Sequence, residues 1–217
     1  MLNVLARVRV NRVTDPIGRW LVGHGVAPDV VTVIGTVGTV AAALWFLPRN
    51  QLFVGTLVIT LFVLFDLVDG AMARARGHGT RFGAVLDSTC DRVADGAVFA
   101  ALTWWCLGVG DDRALGVAAL VCLVAGQLVS YIKARAEGAG LSADGGLVER
   151  AERLIVALVG TGLHGLGVPY ALPVALWVLA AATVWTVGQR ILAVYRSAQA
   201  HAGNSVASDS ADPAPSP

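Results

Sequence analysis

The sequence predicts an all-α integral membrane protein with six transmembrane helices and an N-terminal amphipathic helix on the cytoplasmic membrane surface. Two observations carry this prediction. Of 217 residues, 56% are hydrophobic and only 14% are charged, well outside the balance of a soluble domain. Six apolar stretches, roughly 29–48, 52–73, 83–108, 114–133, 153–168 and 171–192, approach or exceed the ~20 residues that cross a bilayer as a helix. The chain therefore reads as one polytopic membrane domain over 28–196, preceded by a juxtamembrane helix over 1–27 and followed by a disordered tail over 197–217.

Orientation follows from the cations. Arg7, Arg9, Arg12 and Arg19 precede the first span, Arg74, Arg76 and Arg81 follow the second, Lys133, Arg135, Arg150 and Arg153 surround the fourth connection, and Arg190 and Arg196 end the sixth. The opposite side holds only Arg49 and Arg113. By the positive-inside rule the protein is a multi-pass cell-membrane protein with both termini cytoplasmic. The net charge of +1 gives no basic surface for nucleic acid, and no such partner is expected. Membrane lipids are its surroundings. Cys90, Cys106 and Cys122 have no metal-ligand spacing and read as small buried hydrophobes.

Along the chain, Leu2, Val4, Leu5, Val8, Trp20 and Leu21 alternate with the four arginines, the pattern of a helix lying in the interface. Pro28 opens the first span, with Asp29 placed to cap it and Thr32 in its first turn. Residues 138–149, rich in glycine, form the one long cytoplasmic loop. The Ala/Ser/Asp/Pro composition of the last twenty or so residues is that of a disordered segment.

Ionisable side chains inside spans are costly, so Asp66, Asp69, Asp87, Asp91, Arg92 and Asp95 require a reason. Asp66 and Asp69 are i,i+3 neighbours, and Asp87 and Asp91 are i,i+4 neighbours, so each pair shares a helix face. The short connection between the second and third spans makes those helices antiparallel neighbours that can turn the four carboxylates toward each other. Gathered carboxylates repel unless a cation lies among them, and hard oxygen ligands suit Mg2+ or Mn2+. Gly70 and Gly83 leave room beside them, and Arg74 can donate a forked pair of hydrogen bonds to a phosphate. The alternative is an ion or proton pathway, or acids paired with Arg92 and Arg74.

Residues 66–91 read D-x-x-D-G-x-x-A-R-x8-G-x-x-x-D-x-x-x-D. Asp66, Asp69, Gly70, Ala73, Arg74, Gly83, Asp87 and Asp91 match every fixed position of the signature of the CDP-alcohol phosphotransferase family, which the chain resembles. The resemblance implies a six-helix membrane enzyme, usually a homodimer, with a polar cavity open to the cytoplasm and two divalent ions on Asp66, Asp69, Asp87 and Asp91. Asp91 also resembles the family's general base. Asp29, Val30, Val31, Thr32, Gly70, Arg74 and Thr80 then match the contacts to the CDP portion of CDP-diacylglycerol, although Asp29 and Thr80 read equally as helix caps.

The signature does not name the acceptor. Lys133, Arg153 and Arg190 end or begin three helices on the cytoplasmic side, and Ser130 lies about one turn before Lys133. They suit a phosphate carried by the acceptor; each alone also suits an anchor for lipid headgroups, and Ser130 suits a hydrogen bond within its span. The stretches PDVVT (28–32), FVLFDLVDGAMARARG (62–77), TRFGAVLD (80–87), SYIKARAE (130–137) and the two ER pairs at 149–153 resemble the actinobacterial phosphatidylinositol phosphate synthases. There the acceptor is inositol phosphate, and residues matching Lys133, Arg153 and Arg190 bind its phosphate. A phosphatidylglycerophosphate synthase, with glycerol phosphate as acceptor, is the closest rival. An ion-coupled transporter is the alternative from another class.

Overall fold

The computed structural model describes residues 15–75 and 80–209, apart from the side chains of residues 66, 67, 73 and 202–209. Seven helices follow one another: α1 (15–23), α2 (Pro28–Phe46), α3 (Leu52–Ala75), α4 (Arg81–Leu107), α5 (Arg113–Gly138), α6 (Arg150–Gly165) and α7 (Ala171–Asp209). No strand occurs among the described residues. The part of the predicted surface helix that carries Leu2 to Arg12 lies outside them.

Local chemistry sets the helix limits. Pro28 occupies the first turn of α2, with Ala27 as N-cap, which places Asp29 inside the helix; it is not the cap the sequence suggested. Thr80 does cap: its Oγ1 accepts from the Gly83 N–H at 2.8 Å, as Asp112 does from Leu115 at 2.9 Å. Such caps stabilise a helix by about 1 kcal/mol. At α6, Glu149 and Glu152 form a reciprocal capping box, with the Glu149 N–H donating to Glu152 Oε2 at 2.7 Å. Between α2 and α3, Leu47–Arg49 form a single 3-10 turn that Asn50 ends in the left-handed region, at φ 60°.

Four segments, Pro28–Arg49, Leu52–Met72, Arg113–Gly138 and Ala171–His201, are long and apolar enough to cross a membrane. The other two predicted spans fall short for different reasons. α4 has 27 residues but carries Arg81, Asp87, Asp91, Arg92 and Asp95. α6 has 16 residues, about 24 Å of helix against a hydrocarbon core of ~30 Å.

The helices close a ring. α2 packs on both α3 and α4, α4 on α5, α5 on α7, α7 on α6, and α6 on α3. The sequence had set α3 and α4 face to face because their connection is short. In the structure they make at most marginal direct contact among the described residues, because α2 lies against both. The side of the ring where Asp69 and Asp87 stand is thus held by a shared neighbour and not by direct packing.

The dry core fills only one end of this ring. Leu47, Leu52, Ile59, Val98, Phe99, Leu102, Cys106, Ala118, Cys122, Leu158, Leu172 and Leu176 form one buried cluster. Most lie toward the ends of the helices remote from Asp69 and Asp87, and Phe99 and Cys122 reach Asp95, where the charged turns of α4 begin. Cys106 and Cys122 are buried and unoxidised. Outside, Val37 is 60% exposed, Leu61 65% and Trp185 65%, a surface that water disfavours and lipid tails solvate. A smaller cluster of Val31, Val68 and Met72 takes in Leu21, Val22 and Val26, which docks α1 onto α2 and α3; a Cβ on Gly18 would stand 3.0 Å from Ala71 and Met72.

α7 departs from expectation at its far end. It continues to Asp209, past residue 196 where the sequence placed the start of a disordered tail. Ala, Gln and Arg in the stretch after Tyr195 are good helix formers, and 39 residues make about 58 Å of helix, more than a bilayer needs. The glycine-rich loop leans on α7 and reaches the extension at Ser197. The N–H groups of Ser142, Leu147 and Val148 donate to Ser197 Oγ at 3.0 Å, Gln189 Oε1 at 2.9 Å and Thr186 Oγ1 at 3.3 Å.

Candidate active site

Two groups of side chains stand on neighbouring walls of the ring. The first is acidic. Asp69 on α3 accepts a short hydrogen bond from Thr32 Oγ1 on α2, and Thr32 is itself 4% exposed. The negative charge of Asp87 is felt at both Asp69 and Asp91, and that of Asp29 at Asp69. Asp87 is exposed and Asp91 half-buried on the lightly covered first turns of α4. A Cβ on Gly83 would lie 3.2 Å from Asp29 Oδ1 and 2.9 Å from Thr80 Oγ1, so this glycine is what lets α2 and α4 approach there. The segment Asp29–Thr32, with Val30 exposed and Val31 buried, is therefore close to the carboxylates through Asp29 and Thr32.

These carboxylates are hard donors with no sulfur or nitrogen among them, the chemistry of a Mg2+ or Mn2+ site. Among the described residues no three acidic, histidine or cysteine side chains stand close enough to hold an ion. The side chain of Asp66, the fourth predicted ligand, lies outside the description, as does that of Ala73. The donor chemistry fits a divalent cation. Arg74, at the end of α3, pairs with Asp15 of α1 at 3.1 Å, and Gly70 is in ordinary contact range of its guanidinium, 3.6 Å from a Cβ.

The second group is basic, and it is better buried. Arg153 on α6 is 2% exposed and donates from Nη2 to Asp95 Oδ2 at 2.9 Å. Its guanidinium lies against Gly126 of α5, where a Cβ would come within 3.0 Å of Cζ. Arg190 on α7 is 6% exposed and donates from Nη1 to the Val129 carbonyl of α5 at 2.7 Å. Gly126 and Val129 are one turn apart on one face of α5, so both arginines meet that face. Arg153 Nη1 and Arg190 Nε are buried without a hydrogen-bond partner among the described residues. Buried donors are normally satisfied, and an anion is the partner that two such guanidinium edges call for.

Ser130 and Lys133 belong to the same face of α5, one and two turns on from Gly126. The structure does not bring their side chains to the arginines. Lys133 is half exposed with its ammonium 3.9 Å from Glu137, and Ser130 Oγ donates to the Gly126 carbonyl at 3.4 Å, the hydrogen bond within its own span.

Two features were missed from sequence. Asp95 pairs with Arg150 and Arg153, which reach across from α6; Arg92, three positions earlier on the same helix and its expected partner, approaches Asp91 at 3.7 Å instead. Arg150 itself was read as a topology signal and as part of the first ER pair, with no role of its own. Its Nη1 lies 2.7 Å from Asp91 Oδ1 and its Nε 3.2 Å from Asp95 Oδ1. The available signal was its place at the start of a helix, where the macrodipole disfavours cations.

The profile of the CDP-alcohol phosphatidyltransferase family matches residues 25–188. The chain is 54% identical to the phosphatidylinositol phosphate synthase of Mycobacterium marinum over 89% of its own length and 84% of that protein's. It is 48% identical to the synthase of Corynebacterium glutamicum over 91% and 90%. The crystal structure of the Mycobacterium tuberculosis phosphatidylinositol phosphate synthase with CDP-DAG bound superposes with a TM-score of 0.82 at 54% identity, covering 85% of this chain and 94% of that one. The same enzyme in complex with manganese and citrate gives a TM-score of 0.81, covering 84% and 88%. A ring of membrane helices that carries the eight-position signature on α3 and α4, with relatives of this identity along nearly its whole length, is a transferase, and the chain belongs to the CDP-alcohol phosphatidyltransferase family.

Proposed function

We propose that the chain transfers the phosphatidyl group of CDP-diacylglycerol to an inositol phosphate and releases CMP, as a phosphatidylinositol phosphate synthase of the cell membrane. The pair of buried, unsatisfied guanidinium edges on Arg153 and Arg190 carries the choice of acceptor, because a neutral alcohol has no use for them. Arg153 lies one salt bridge away from the acidic face of α4, through Asp95. A phosphate held there sets the acceptor's hydroxyl toward Asp91, and Lys133 closes over it from the rim. Asp29, Val30, Val31, Thr32, Gly70, Arg74 and Thr80 hold the CDP portion between α2 and the facing ends of α3 and α4.

Asp66, Asp69, Asp87 and Asp91 would hold two Mg2+ or Mn2+ ions. Bound there, the cations supply charge neutralisation to the pyrophosphate of the CDP-lipid. Asp91 takes the proton of the acceptor hydroxyl as the oxygen attacks the lipid-side phosphorus. Thr32 fixes Asp69 by donating to it, and Arg74 offers a fork to the nucleotide phosphates. Positioning by these groups supplies most of the acceleration, since an in-line displacement asks little covalent chemistry of a protein.

α4 and α6 complete six spans, with the charged turns of α4 shielded by α2, α5 and α6 and with both termini on the cytoplasmic side. The chain works as a homodimer. The function is tested with the full chain in lipid nanodiscs with Mg2+ or Mn2+ and CDP-diacylglycerol, by following CMP. Release on addition of inositol phosphate, and none with glycerol phosphate, is the expected result; the reverse preference overturns the acceptor.

A Gly83→Ala variant tests the nucleotide end. The added methyl meets Thr80 and Asp29, and a strain of about 1.4 kcal/mol, within the usual cost of overpacking, raises the KM for CDP-diacylglycerol roughly tenfold. The acceptor KM is expected to hold.

A further inference from the structure

We propose that Arg150 is a positioning residue for Asp91, one guanidinium that ties this carboxylate to Asp95 across a turn of α4. Its Nη1 reaches Asp91 Oδ1 at 2.7 Å while its Nε reaches Asp95 Oδ1 at 3.2 Å. Asp91 and Asp95 are i,i+4 neighbours, so a planar fork can lie along that face and hold both. Asp95 is 3% exposed and is anchored on its other oxygen by Arg153, which gives Arg150 a fixed point to brace against. The far end is fixed as well, because Arg150 is the first residue of α6 and sits directly after the Glu149 side of the capping box.

The placement costs the helix stability. An arginine at a helix N-terminus opposes the macrodipole, and a side chain that breaks a local rule without local gain is doing something elsewhere. Here the gain is the orientation of Asp91. With Oδ1 engaged by Arg150, Oδ2 is the oxygen turned to the cation and the acceptor hydroxyl. Arg92 Nη2 stands 3.7 Å from that oxygen, beyond hydrogen-bond length, and leaves it to them. A lysine cannot substitute, since a single ammonium does not span the two carboxylates.

The proposal rests on the assignment of Asp91 to metal and hydroxyl, and the two fail separately. The experiment uses the full chain in nanodiscs, with Arg150→Ala, Arg150→Lys and Arg150→Gln. Manganese binding is read by electron paramagnetic resonance and turnover by CMP release. Loss of a residue that orients a metal ligand costs about 10–100-fold in affinity or activity. Both Arg150→Ala and Arg150→Lys are therefore expected to lose that much in kcat and to bind manganese more weakly, while the KM for inositol phosphate moves less than about threefold. Added guanidinium ion should restore part of the kcat of Arg150→Ala. Wild-type turnover and manganese affinity in Arg150→Ala, full activity in Arg150→Lys, or failure of both the Ala and Gln variants to fold would each overturn the role. An Asp91→Asn variant that keeps turnover overturns the underlying assignment instead.

Discussion

Asp91→Asn is expected to abolish CMP release, with a fall in kcat of at least about a thousandfold. The change keeps the shape of the side chain and removes two things at once. It takes away a proton acceptor, whose loss alone costs ~10²–10⁴-fold, and it removes one anionic ligand from an all-carboxylate site. The neighbourhood survives the exchange. Arg150 keeps its 3.2 Å contact with Asp95, and the buried pair of Asp95 with Arg153 does not involve Asp91. The variant should therefore fold and melt close to the wild type while inositol phosphate still binds. Thermal denaturation and calorimetric titration of inositol phosphate check these two points, and single-turnover CMP release checks the first. Activity within tenfold of the wild type would remove Asp91 from the chemistry.

What could be read in the sequence follows the range of the forces involved. Helix positions were legible because each helix is specified by its own apolar run and ends; the predicted 52–73 and 114–133 fall within α3 and α5. The acidic site was legible because charges inside a membrane are conspicuous and because i,i+3 and i,i+4 spacing fixes a shared face without knowledge of neighbours. The partner of Asp95 was not legible. Arg92 lies one turn away on the same helix, whereas Arg150 and Arg153 come from a helix more than fifty residues away, and only the closing of the ring by α6 brings them in. The same holds for the relation of α3 to α4: a short connection restricts them to being near, and the insertion of α2 between them is a property of the whole ring. Lys133 shows the converse limit, since sharing a face of α5 with Gly126 and Val129 does not oblige a long flexible side chain to point where the arginines point.

Arg153→Ala should disturb fold and acceptor binding together, and a second substitution separates the two. Arg153 and Asp95 are 2% and 3% exposed and bonded at 2.9 Å; removing one partner of such a buried pair costs ~3–5 kcal/mol, because the remaining charge is stranded. Arg150 stays on the other Asp95 oxygen and softens the loss. The thermal midpoint should fall, and the KM for inositol phosphate should rise, since a hydrogen bond to a charged group contributes ~1.5–3 kcal/mol, about ten- to a hundredfold. Combining Asp95→Asn with Arg153→Gln removes both charges from the pair and keeps two amide side chains that can hydrogen-bond each other beside Gly126. Stability should then recover while the acceptor KM stays high, because the unsatisfied Nη1 proposed to hold the anion is still gone. Recovery of both quantities in the double variant would mean that Arg153 serves only the fold and that the anion is held by Arg190 without it. The KM effect must also be absent for CDP-diacylglycerol, whose proposed contacts lie on α2 and the facing ends of α3 and α4, so a parallel rise in both KM values would point to general loosening of the ring and not to a lost phosphate contact.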